Sequence, residues 1–151
     1  MEELAAGEPR AVATENARRK ALAIRPGPAR LVLGADTLVT VDGDVLGKPR
    51  NEAEAAGHVG RLAGRAHEVV GGIALARDGA VVAEAVDVTR VVFRALTRED
   101  IEAYVAQGEW EGRAGGYAIQ GRGAALVRSI TGDYLNVVGL PLARLLDLLD
   151  A

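Results

Sequence analysis

A chain of 151 residues with a net charge of −3 at pH 7 has room for one domain, whose core buries about two-thirds of the unfolded surface. The acidic balance lacks the basic footprint of a nucleic-acid binder, and zero cysteines exclude disulfides and thiolate metal sites and fit a reducing cytoplasm. No apolar run approaches the roughly 18 residues of a membrane span and no signal-peptide core follows the start, so no membrane partner is expected.

The predicted elements begin with a helix from Pro9 to about Ile24. Pro9 suits a first helical turn, and Val12, Ala13, Asn16, Ala17, Lys20, Ala21 and Ile24 fall on one broad face. Lys20 therefore lies on or beside the buried face, where its ammonium either snorkels to water or meets an anion. Of 18 basic residues only Lys20 and Lys48 are lysines. In so Arg-rich a chain, a retained Lys suggests a need for a compact point charge rather than a planar fork. Arg25-Pro26-Gly27-Pro28 ends the helix.

Leu31 to Pro49 reads as a hairpin. An apolar run leads through Gly34, Ala35, Asp36 and Thr37 to Val41, turns at Asp42-Gly43 and returns through Val45 and Leu46 to Gly47-Lys48-Pro49. Asp-Gly between β-branched runs signals a type I′ turn, which needs φ > 0 at both central residues. With a two-residue loop Val41 faces Asp44. Continuing that register outward brings Thr37 opposite Lys48, at about 4.5–5.5 Å. Asp36, Thr37 and Lys48 are thus expected at one end of the hairpin, as a site or as a surface ion pair. A carboxylate ending an apolar run is costly to bury unpaired, which favours the site.

Asn51 starts a second helix, Glu54 completes a capping-box pattern, and Gly64 is the residue past its end. Gly57 and Gly60 each weaken that helix by about 1 kcal/mol relative to Ala. His67 to Ala76 and Ala80 to about Ala95 read as strands joined at Asp78-Gly79. Thr97 opens a third helix, with Ile101, Tyr104 and Val105 inward and Gly108 closing it. Glu109 to Arg113 is a loop, and Ala114 to Gly123 is Gly-rich without matching a phosphate-loop fingerprint. Leu126 to Ile130 is a short strand and Gly132-Asp133 a turn. A last helix starts at Leu140-Pro141, with Leu142, Leu145, Leu146 and Leu149 as its apolar stripe. His58 and His67 each lack a second ligand at useful spacing, which argues against a metal role. Strands and helices interleaved around long hairpins imply an α/β fold with a mixed sheet, one domain over residues 1–151.

Gly34 to Pro49, GADTLVTVDGDVLGKP, resembles the central motif of the Maf family of nucleoside triphosphate pyrophosphatases. The resemblance continues in order through ENARRKA (Glu15 to Ala21), AGRAHEVV (Ala63 to Val70), AGGYAIQG (Ala114 to Gly121) and GDYLNVVGLP (Gly132 to Pro141). The family's opening strand and Ser-x-Ser-Pro-Arg-Arg loop have no counterpart, so the chain is expected to be shortened at its start relative to the family. The resemblance implies an elongated, two-lobed α/β fold with a central cleft, shared broadly with the inosine-triphosphate pyrophosphatases.

It also implies hydrolysis of a nucleoside triphosphate to the monophosphate and pyrophosphate. Asp36 matches the family's catalytic aspartate, the general base and, directly or through water, a ligand of a divalent cation, Mg²⁺ or Mn²⁺. Lys20 and Lys48 match its phosphate-binding lysines. A family glutamate ahead of the first helix falls at Glu2 or Glu3, with Glu3 preferred. Thr37 and Gln120 match positions that sort substrates: Thr with Gln marks the branch acting on dTTP and UTP, whereas the branch favouring 7-methyl-GTP has Glu in place of this Gln. A house-cleaning role, the cytoplasm and a homodimer are implied as well. The missing loop keeps open a catalytically impaired nucleotide-binding or cell-division regulatory protein, and the shared fold keeps open activity on purines such as ITP.

Overall fold

The computed structural model describes residues 2–4 and 7–151. The helices are α1 (Pro9–Ala23), α2 (Glu52–Leu62), α3 (Arg98–Val105), α4 (Tyr134–Val138) and α5 (Leu142–Asp150). The strands are β1 (Leu31–Val41), β2 (Asp44–Leu46), β3 (Ala66–Arg77), β4 (Ala80–Phe93) and β5 (Val127–Thr131). They form one α/β sheet in the order β2-β1-β3-β4-β5, antiparallel where β1 meets β2 and where β4 meets β5. The chain divides into two compact units. The first holds the described residues up to Thr37, with Val70–Val88 and Asp133–Ala151; the second holds Leu38–Val69 and Thr89–Gly132.

In the first unit α1 meets the strands through its smallest residues. The Glu8 carboxylate caps it by accepting from the Arg10 and Ala11 amides, and Pro9 takes the first position. Val12, Ala13, Asn16, Ala17 and Ala21 are buried. Ala17 and Ala21 cluster with Ala74 and Ala76, while Ile73 and Leu75 pack against Leu145 of α5. Small side chains on both sides bring helix and strand close, and Gly34 marks the contact. A Cβ at Gly34 would overlap the Ala17 carbonyl and come within 2.5 Å of the Ala21 amide nitrogen. Gly34→Ala is therefore expected to lift α1 and destabilise the fold by about 1–3 kcal/mol. The measurement is the urea midpoint; an unchanged midpoint contradicts the close approach.

Two sequence expectations for this unit change. Ile24 lies past the end of α1 and is 61% exposed, because the helix stops at Ala23 ahead of Pro26. In α5 only Leu145 is buried, with Leu148 packed beside it, while Leu142, Leu146 and Leu149 of the expected stripe are exposed. The structure also adds α4, a single turn capped by the Asp133 carboxylate, which accepts from the Leu135 amide.

In the second unit the hairpin turns at Asp42 (φ 52°) and Gly43 (φ 79°), the left-handed pair that a type I′ turn requires. The register runs Val41↔Asp44, Thr40↔Val45 and Val39↔Leu46, and stops there. The Gly47 carbonyl accepts from the Gly115 amide at 3.2 Å, and Pro49 has no N–H to donate. Because β2 ends at Leu46, the ladder that would pair Thr37 with Lys48 does not form. At α2, Asn51 accepts from the Glu54 amide at 2.8 Å, but the Glu54 carboxylate pairs with Arg50 rather than closing the capping box. The box is complete at α3, between Thr97 and Asp100. Ala55 of α2, Val105 of α3 and Trp110 form one cluster in this unit.

Candidate active site

Alternation along β1 puts Gly34 and Asp36 on one face, the face that α1 covers. Asn16 and Lys20 lie one turn apart on α1 and reach the same carboxylate. Asn16 Nδ2 donates to Asp36 Oδ2 at 3.0 Å, and Lys20 Nζ donates to Oδ1 at 3.1 Å. Asp36 is 7% exposed. A carboxylate so buried needs both a counter-charge and hydrogen-bond donors, and it has them.

Glu3 joins from ahead of α1, its Oε1 2.9 Å from Lys20 Nζ. Glu2 instead offers its backbone carbonyl to Arg19 at 2.9 Å. Two carboxylates thus bracket one ammonium. Burial pulls the Lys20 pKa down, the hydrogen bonds to Glu3 and Asp36 push it up, and the balance lies above its ordinary value. Lys20 carries its proton throughout the neutral range.

From sequence, Asn16 takes a place on the buried face and no role. In the structure it ties the site together. Its Oδ1 accepts from the Leu4 amide at 2.6 Å, and its Nδ2 donates to the Leu4 carbonyl at 3.0 Å as well as to Asp36. One amide side chain thereby holds Asp36 and the segment that presents Glu3. The signal was available: an amide among alanines on a buried helix face must find partners.

Thr37 follows Asp36 on the opposite face of β1, and its hydroxyl donates to the Gly139 carbonyl at 3.4 Å. Glu3, Lys20 and Asp36 are thus gathered in the first unit, with Thr37 next in sequence. Lys48 and Gln120 belong to the second unit and both are exposed. Lys48 follows the end of β2. Gln120 stands in the loop between two 3₁₀ turns, Ala114–Gly116 and Arg122–Leu126.

The two histidines have local roles. His67 Nε2 lies 2.6 Å from the Tyr117 hydroxyl, its ring is edge-on to Phe93, and burial lowers its pKa to about 4. It is a neutral core residue near pH 7. His58 Nε2 lies 4.0 Å from Glu54. Among the described residues, no group of three or more His, Asp and Glu could hold a metal ion. Chemically, the Glu3–Lys20–Asp36 cluster offers a carboxylate to take a proton from water and an ammonium to meet anionic oxygens.

A family model described as Maf-like protein matches residues 1–151. A dTTP/UTP pyrophosphatase of Symbiobacterium thermophilum is 54% identical over 135 residues, covering 88% of this chain and 69% of the relative. The enzyme of the same name from Thermococcus onnurineus is 48% identical over 141 residues, covering 93% of this chain and 76% of its own. That from Pyrococcus abyssi is 42% identical over 145 residues, covering 95% and 77%.

Proposed function

The chain belongs to the Maf-like protein family, and from that premise we propose that it hydrolyses dTTP and UTP to the nucleoside monophosphate and pyrophosphate. The observation that carries this reading is the buried Asp36 carboxylate, held by Asn16 and Lys20 with Glu3 on the same ammonium. Asp36 takes a proton from water, and the water oxygen bonds to the α-phosphorus. The bond from the α-phosphorus to the oxygen bridging to the β-phosphorus then breaks, and pyrophosphate leaves. Lys20 and Lys48 supply positive charge to the phosphate oxygens.

A carboxylate is by itself a weak base toward water at neutral pH. A divalent cation, Mg²⁺ or Mn²⁺, when bound, supplies a more acidic water and neutralises phosphate charge. The donors present fit such a cation. Asp36 and Glu3 are hard oxygen ligands, and Mg²⁺ is commonly held by one or two carboxylates together with phosphate oxygens and water. The exposed Leu142, Leu146 and Leu149 of α5 support a homodimer, which sedimentation velocity tests. A house-cleaning role in the cytoplasm is part of the same proposal.

Pyrophosphate release from dTTP, UTP, 7-methyl-GTP and ITP in the presence of Mg²⁺ tests the function. Release led by the two pyrimidine nucleotides is the expected result. Binding of dTTP without any release would make the chain a nucleotide-binding regulator, and a preference for ITP would move it to purines.

Thr37 and Gln120 set the base preference in this reading. Gln120 presents a donor and an acceptor, whereas Glu presents acceptors alone. Once a bound base covers Gln120, a mismatch of that kind costs about 1–3 kcal/mol. Gln120→Glu is therefore expected to shift selectivity between dTTP and 7-methyl-GTP by roughly five- to 150-fold. Equal ratios of kcat/KM before and after the exchange remove Gln120 from recognition.

A further inference from the structure

α3 ends at Val105, and Gly108 (φ 77°) turns the chain so that residues 109 and 110 fold back on the helix. Trp110 seats this turn, its Nε1 donating to the Val105 carbonyl at 3.1 Å. Glu109 beside it is occupied on both oxygens. Its Oε1 accepts from the Tyr104 hydroxyl at 2.6 Å and from the Gly123 amide at 2.9 Å; its Oε2 accepts from the Arg122 amide at 3.0 Å. The Tyr104 oxygen in turn accepts from the Ala118 amide at 3.1 Å.

Three amides of one loop therefore end on a single Tyr–Glu pair. One lies two residues before Gln120, and the other two lie two and three residues after it. The loop is made to admit the carboxylate, since a Cβ at Gly121 would stand 2.5 Å from Glu109 Oε2. Burial raises the Glu109 pKa, while the Tyr104 hydroxyl and the two loop amides lower it, and the balance lies below its ordinary value. The clamp is thus an anion at neutral pH, and hydrogen bonds to a charged acceptor are the strong kind. Gln120 itself is exposed between the two anchors.

We propose that Glu109, braced by Tyr104, is the positioning residue that holds Gln120 in place to read the pyrimidine base. The proposal rests on the reading of Gln120 given above. Nothing in Glu109 need touch the nucleotide. Its effect is to remove the loop's freedom before binding, so that less order is lost when the base arrives.

The test is a cycle in the full chain with Glu109→Gln, Gln120→Ala and the double variant. KM and kcat are measured for dTTP and 7-methyl-GTP, and amide hydrogen exchange is followed over residues 118–123. Gln at 109 keeps the length but turns an NH₂ toward amide donors, so at least one anchor is lost. Glu109→Gln is expected to speed exchange and raise KM for dTTP by roughly tenfold each, with kcat changed by no more than about twofold. In the Gln120→Ala background the same exchange of Glu109 should leave the dTTP to 7-methyl-GTP ratio unmoved. Tyr104→Phe keeps the ring in the core and removes the bracing hydroxyl; it should act in the same direction, and it decides the matter if Glu109→Gln does not fold. Unchanged exchange over residues 118–123 would overturn the clamp. Additive effects in the double variant would mean that Glu109 acts elsewhere. Faster exchange combined with a Gln120→Ala variant of normal selectivity would sink the reading of Gln120, and the proposal with it, while leaving the clamp standing.

Discussion

Asp36→Asn is expected to cut pyrophosphate release from dTTP by about 10²–10⁴-fold while dTTP still binds. The size follows from what a positioned general base contributes, and the substitution keeps the shape while removing the basicity. It does have a structural cost. Asp36 Oδ2 accepts from Asn16 Nδ2, and an amide at that position sets either NH₂ against NH₂ at Asn16 or NH₂ against the Lys20 ammonium. One mismatched buried pair costs about 1–3 kcal/mol, visible as a lower melting temperature. Measuring turnover well below that temperature separates the two effects, and calorimetric titration with dTTP in the absence of metal reports binding alone. A folded variant with unchanged turnover removes Asp36 as the base.

How far such a site could be read in the sequence depended on whether its determinants were local. Asp42-Gly43 dictates its own turn, and the first three pairs of the ladder follow from it. Beyond them β2 ends at Leu46, and Gly47 bonds to Gly115, 68 residues further along the chain. No local pattern reports so distant a partner, and the extrapolation to Thr37 and Lys48 fails there. The helical face that placed Lys20 beside the buried surface was local, since 3.6-residue periodicity is. That Asp36 lies beneath it depends on Gly34 letting α1 settle onto β1, which joins residues far apart in sequence. Asn16 and Glu109 share that property. Each is an unremarkable polar residue until the fold shows which distant backbone groups it satisfies. For α5, periodicity marks the apolar residues, but the core it meets in this unit takes up only Leu145 and part of Leu148.

Lys20→Met is the second substitution with a large expected effect, a fall of about 10²–10³-fold in turnover, the size seen when one charge-stabilising donor is removed. Met keeps the unbranched stem along the buried face of α1 and deletes only the ammonium. Glu3 and Asp36 then face the same space without a cation between them. Lys20→Arg is the informative partner variant. It restores the charge, yet a planar fork does not replace a compact ammonium that meets two carboxylates at 2.9 and 3.1 Å. Stability should therefore recover more fully than rate. The alkaline behaviour gives an independent check. Against the pull of burial, the hydrogen bonds to Glu3 and Asp36 raise the Lys20 pKa in the fold above its ordinary value, so its contribution is complete below the unfolded pKa and is lost as pH climbs through the folded one. Denaturant midpoints followed upward from pH 9 should show that alkaline loss in the parent chain, and a smaller one after Lys20→Met. Full turnover in the Met variant would detach Lys20 from the phosphates. An alkaline limb of the same size in both proteins would show that the ion pairs with Glu3 and Asp36 contribute nothing to stability.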